Sequence, residues 1–99
     1  MRIISKKALL DFWIKHPNAK SSLEAWHRVV SKSDFKNFID LKDAFNSVDY
    51  TSPYTIFNIG GNNYRLIVSI HYNTQHLYIR EVFTHAEYDK WNKGRKRNV

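Results

Sequence analysis

The chain has 99 residues, no cysteine, and 16 Lys plus Arg against 9 Asp plus Glu, a formal charge of +7. That length holds one domain around one core, and the missing cysteines exclude disulfides, thiol chemistry and Cys-based zinc sites. The positive balance favours a polyanionic partner, and no apolar run approaches the roughly 20 residues of a membrane span.

Residues 1–4 contain a β-branched pair and predict a short strand, with Ser5 placed to cap the next segment. Over 6–16, Ala8, Leu9, Phe12 and Trp13 recur at helical spacing and give one apolar face. His16-Pro17 ends that helix, because a residue before proline is pushed out of the α region. A second helix comes next, capped by Asn18 or by Ser21 with Glu24 at capping-box spacing. Its apolar stripe is Leu23, Trp26, Val29 and Val30. Residues 31–49 are irregular. Asp40 can cap a short helical turn over 41–45, and Phe35, Phe38, Leu41 and Phe45 anchor the segment to the core.

Beyond Tyr50 the pattern changes to strands over 55–59, 64–72 and 77–83. Gly60-Gly61-Asn62-Asn63 marks the first hairpin, since glycine and asparagine accept positive φ. Residues 84–91 read as a short helix, and 93–99 as a basic, mobile tail. The expected fold is α+β: one domain over 1–99, an N-terminal strand and two helices on one face of a small antiparallel sheet, and a short C-terminal helix. Residues 1–7 mix apolar and basic side chains without the form of a signal peptide, so the expected location is the cytoplasm, with no membrane association.

Alternation along 64–72 puts Tyr64, Leu66, Val68, Ile70 and Tyr72 on the face that packs on the helices. Arg65, Ile67, Ser69 and His71 share the other. Arg65 is the only Lys, Arg, Asp or Glu between Tyr50 and Tyr78. It either snorkels or pairs with a carboxylate such as Glu81, or it points into a cleft that binds phosphate. Arg80 and Glu81 face opposite ways, so regular pairing lets only one share Arg65's face. The densest polar cluster is Thr84-His85-Ala86-Glu87-Tyr88-Asp89-Lys90-Trp91. Thr84 and Glu87 read as a helix cap and its partner. Capping does not explain His85 beside them, and a histidine there has the right chemistry for a base or an acid. The five histidines lack metal-ligand spacing, and no phosphate loop or nucleophile elbow is present, so no metal and no cofactor are expected.

The hairpin segment Phe57-Asn58-Ile59-Gly60-Gly61-Asn62-Asn63-Tyr64-Arg65-Leu66-Ile67 resembles the central hairpin of HigB-type toxins, and Tyr78 to Trp91 resembles their C-terminal block. These toxins belong to the wider RelE-like group. The resemblance implies a metal-independent endoribonuclease that cuts mRNA on the ribosome by 2′-hydroxyl attack. It also implies control by a HigA-like antitoxin. Residue by residue it implies that Arg65 holds the scissile phosphate, with Arg80 as a second phosphate ligand. His85 becomes the general base or acid, and Tyr88 the aromatic that stacks on a base or aids proton transfer. Lys36 and Lys42 fall where related toxins carry basic residues. Lys90, Lys93 and Arg95 extend the basic, RNA-binding surface. Two rival readings stand beside it: a RelE-fold toxin that acts by binding DNA gyrase, and a non-enzymatic nucleic-acid-binding module using the basic tail.

Overall fold

The computed structural model describes the backbone of residues 1–97 and the side chains of residues 1–95. The chain runs β1 (Arg2–Ile4), α1 (Lys7–Lys15), a 3-10 turn (Pro17–Ala19), α2 (Lys20–Ser31), α3 (Phe38–Ala44), β2 (Asp49–Thr51), β3 (Tyr54–Ile59), β4 (Tyr64–His71), β5 (His76–Thr84) and α4 (His85–Arg97). The strands form one sheet in the order β1-β5-β4-β3-β2. β2 to β5 pair antiparallel, and β1 joins the far edge parallel to β5, with Ile3 opposite Leu77. The α+β architecture is as the sequence implies, with one strand more than expected.

The helical stripes bury as their spacing predicts. Leu9 and Trp13 of α1 and Leu23, Trp26 and Val30 of α2 close over Phe57, Ile59, Leu66, Val68 and Leu77 of the sheet. Val29 is an exception: it is 49% exposed, on the flank of the stripe. Three rings interlock at the centre, with Phe57 5.3 Å from Trp26 and 5.2 Å from Phe45, both edge-on. Phe35 and Leu41 are buried, and Phe38 and Phe45 pack against the same core, so the irregular connection is anchored as expected.

The helix starts differ from the sequence-based expectation. α1 begins after Lys6 and α2 after Ala19, neither with a side-chain cap, so Ser5, Asn18 and Ser21 do not cap. Before α2 the 3-10 turn does this work: Pro17 has no N–H to satisfy, and the Ala19 N–H donates to the His16 carbonyl at 2.9 Å. α3 is capped by Asn37, whose Oδ1 accepts from the Asp40 N–H at 3.0 Å, rather than by Asp40 itself. The hairpin turn does use positive φ, at Gly60, Gly61 and Asn62.

The pattern of the sequence assigns no helix to the second sheet face; in the structure α4 crosses it. Trp91 of α4 lies 5.8 Å from Tyr54 and 5.7 Å from Phe83, and Ile56 and Ile67, paired across β3 and β4, are buried. The helix also runs past residue 91 to Arg97, so 93–97 are helical, while 98–99 of the expected tail lie outside the described residues. Lysine and arginine are good helix formers, which lets the segment continue despite Gly94. Its start is the capping box read from sequence: the Thr84 N–H donates to Glu87 Oε1 at 2.8 Å and the Glu87 N–H to Thr84 Oγ1 at 3.2 Å. Thr84→Ala is expected to cost about 1 kcal/mol, read as a lower midpoint in urea unfolding. An unchanged midpoint would mean that packing of Trp91 alone fixes the helix.

Between β4 and β5 the register slips. Ile67 faces Glu81 but Val68 faces Ile79, so Arg80 is the extra residue of a bulge. Its Nε donates to Ser69 Oγ at 3.1 Å. Ile67 and Ser69 both belong to Arg65's face of β4. The bulge therefore lets Arg80 and Glu81 both lie along that face, where regular alternation would allow only one.

Candidate active site

Register builds the site. Arg65 on β4 lies between Asn58 on β3 and Phe83 on β5, and Asp49 on β2 lies opposite Ile56 one step along. The first turn of α4 brings Tyr88 over this row, and α3 brings Lys42 from the far side. Lys42, Ser47, Asp49, Asn58, Arg65 and Tyr88 line one groove, with Ile56 and Val48 in its lining too.

Arg65 is held, not free to wander. Its NH1 donates to the Asn62 carbonyl at 2.9 Å and to the Tyr64 carbonyl at 3.2 Å, so the hairpin turn grips one end of the guanidinium. The group sits 5.4 Å from the centre of the Tyr88 ring. Among the described residues it forms no ion pair, so the Glu81 alternative is not realised. A half-buried, oriented guanidinium with unspent N–H donors and no carboxylate partner is suited to a phosphate.

Tyr88 is half-buried, and burial pushes its phenol above the ordinary tyrosine value. Arg65 and Arg95 pull the other way, while Asp49 and Asp89 add to the rise. The phenol therefore stays protonated at neutral pH and can donate a proton or a hydrogen bond in the groove. Lys42 Nζ donates to the Val48 carbonyl at 2.8 Å, tying α3 to the loop that forms the groove wall. The Asn58 amide reaches the Ser47 carbonyl at 3.4 Å and steadies the same loop. Asp49 and Asn58 are the groove residues that sequence reasoning missed. Only the β2–β3–β4 register brings them beside Arg65.

The remaining candidates are dispersed. His85 opens α4, and its backbone N–H donates to the Asn63 carbonyl at 3.0 Å. Its Nδ1 is 3.2 Å from Asp89 Oδ2, one turn along the helix, and it stands beside the groove rather than in its lining. Arg80 is outside the groove: its guanidinium covers the Tyr78 ring at 5.3 Å. Arg95 stacks on Trp91 at 4.7 Å and on Tyr54 at 5.2 Å and donates to the Ser52 carbonyl, so packing accounts for much of its placement. Lys36 is exposed on the connection before α3, and Lys90 and Lys93 are exposed on α4. Among the described residues no three His, Asp or Glu side chains converge as a metal site would require, and no helix is long and apolar enough to cross a membrane.

The small α+β domain thus sets a gripped arginine, a neutral tyrosine and a lysine along one groove, donors suited to an anion. The family model described as HigB_toxin, the RelE-like toxic component of a toxin–antitoxin system, matches residues 19–91, which include every groove residue. An mRNA interferase toxin HigB of Escherichia coli K12 is 40% identical over 92 residues, covering 90% of this chain and 88% of its own. An mRNA interferase HigB of Shigella flexneri has the same identity and coverage. Another, of E. coli O6:H1 strain CFT073, is 31% identical over 101 residues, covering 99% of this chain and 98% of its own. The chain belongs to the HigB toxin family.

Proposed function

We propose that this toxin is an endoribonuclease that cleaves mRNA in the groove around Arg65. The observation that carries the reading is the Arg65 guanidinium, fixed by the turn carbonyls, without an ion pair among the described residues, and facing Tyr88. The reaction is attack of a ribose 2′-oxygen on the adjacent phosphorus. A P–O2′ bond forms, the P–O5′ bond breaks, and the products are a cyclic phosphate and a 5′-hydroxyl end. Arg65, with Lys42 beside it, neutralises the charge that builds on the non-bridging oxygens. Tyr88, neutral by burial, protonates the departing 5′-oxygen. His85 takes the 2′-hydroxyl proton, with Asp89 Oδ2 3.2 Å from its Nδ1 to orient the ring. The relatives bearing the name mRNA interferase support this assignment of substrate.

In this reading the cut falls on translating ribosomes in the cytoplasm, a HigA-like antitoxin restrains the toxin, and exposed Lys36, Lys90 and Lys93 add long-range attraction to RNA. Mapping of mRNA 5′ ends after induction tests it. Wild type is expected to give discrete new ends. His85→Ala and Tyr88→Phe are each expected to reduce them by about 10²-fold or more, the usual loss on removing one proton-transfer group. Ends that persist in His85→Ala would remove it as the base and turn attention to Asp49. Growth arrest without any new ends would favour a toxin that acts by binding alone.

A further inference from the structure

α4 covers only part of its sheet face. Beyond Ser69 the face is open, and its side chains form a connected group. His71 is paired with His76 across β4 and β5, and Ser69 with Tyr78. The Tyr78 ring meets His71 edge-on at 5.5 Å and lies nearly parallel to His76 at 6.4 Å, while Arg80 caps it at 5.3 Å. Arg2 of β1 extends the same row opposite His76. A shallow groove lined by Pro53, Tyr54, Ser69, Ile70, His71 and Arg80 runs along this group, with no carboxylate in its lining.

We propose that this open end of the sheet, with His71, Tyr78 and Arg80 at its centre, binds the single-stranded RNA that flanks the cleavage site. The inference rests on the ribonuclease reading above and extends it to a second contact surface. Three observations carry it. Among the described residues Arg80 forms no ion pair, so its charge is available to a phosphate. The groups on it are planar, aromatic or cationic, the set that stacks bases and pairs phosphates. A line of stacked side chains through α4 also joins this surface to the active-site groove. Tyr54 stacks with Arg95, Arg95 with Trp91, and Trp91 lies 5.9 Å from Tyr88. From Arg65 to Ser69 along β4 is about 13 Å at ~3.3 Å per residue. Buried Ile67 lies between them under α4, so RNA seated at Arg65 reaches the surface by crossing over that helix.

The test is fluorescence anisotropy with labelled single-stranded RNA of two lengths, about 12 nucleotides and about three. Tyr78→Ala is expected to weaken the long RNA about tenfold and leave the short one unchanged. Arg80→Ala is expected to weaken the long RNA and flatten its salt dependence by about 0.7 in log–log slope, whereas Arg80→Lys keeps the slope. Thermal melts confirm that each variant is folded. Equal losses at both lengths, or no loss with the long RNA, overturn the assignment. So does a variant that keeps its RNA affinity but loses that for the antitoxin. If wild type binds and the length-dependent loss appears while no RNA is cut, the surface stands and the ribonuclease reading falls.

Discussion

Arg65→Ala is expected to lower RNA cleavage by about 10²- to 10³-fold while leaving the fold intact. The size reflects the role: a fixed donor aimed at developing charge in a partly water-excluded site contributes ~3–4 kcal/mol to the transition state. The fold survives because the two carbonyls that Arg65 NH1 engages lie at the hairpin turn, where water can replace it. Stability should therefore change by no more than about 1 kcal/mol. Arg65→Lys keeps the charge but not the planar fork, and it cannot both grip the turn and present a flat pair of donors to a phosphate. It should recover only a small part of the lost rate. Single-turnover cleavage of a defined mRNA, with ribosomes present, separates these outcomes. A rate for Arg65→Ala within a few fold of wild type would remove the arginine from the reaction.

The largest effect on stability is expected at Phe57, which is 1% exposed and wedged between Trp26 and Phe45. Phe57→Ala opens a cavity lined by rings that cannot collapse into it, at a cost of about 3–5 kcal/mol. For a domain of this size, total stability is on the order of 5–15 kcal/mol, so the variant sits near its unfolding threshold at 37 °C. Each kcal/mol moves the thermal midpoint by about 4–8 °C, and calorimetry should show a drop of more than about 10 °C. Ile39→Ala is the control: that side chain is 70% exposed, and the change should stay within about 0.5 kcal/mol. A Phe57→Ala midpoint close to wild type would mean that the three-ring cluster is dispensable and that the helices rest mainly on Leu66 and Val68.

The long strands were legible because alternation and a Gly-Gly-Asn-Asn turn are strong local signals, and they put Leu66 and Val68 on the helix face correctly. β2 was not, since Asp49-Tyr50-Thr51 is short, polar and held only by pairing at an edge. The parallel partnership of β1 with β5 also has no local signature, because its two strands are separated by most of the chain. In the groove, composition and spacing singled out Arg65, resemblance drew in Tyr88 and Lys42, and Asp49 and Asn58 escaped. A one-residue change in register would turn either of those two to the opposite face, and register is not written in the residues themselves. Arg80 shows the same limit from the other side. The bulge at Ile67/Val68 sets it beside Ser69 and Tyr78, away from the groove to which resemblance had assigned it.

The pairing of β1 with β5 also governs when the groove can assemble during synthesis. Arg2, Ile3 and Ile4 are synthesised long before their partners His76, Leu77 and Tyr78. Contacts of such long sequence separation form late, after the loop between them has been closed. The groove is drawn from positions as far apart as Lys42 and Tyr88. A nascent chain that stalls before β5 therefore has neither a closed sheet nor an α4, and the groove is not assembled.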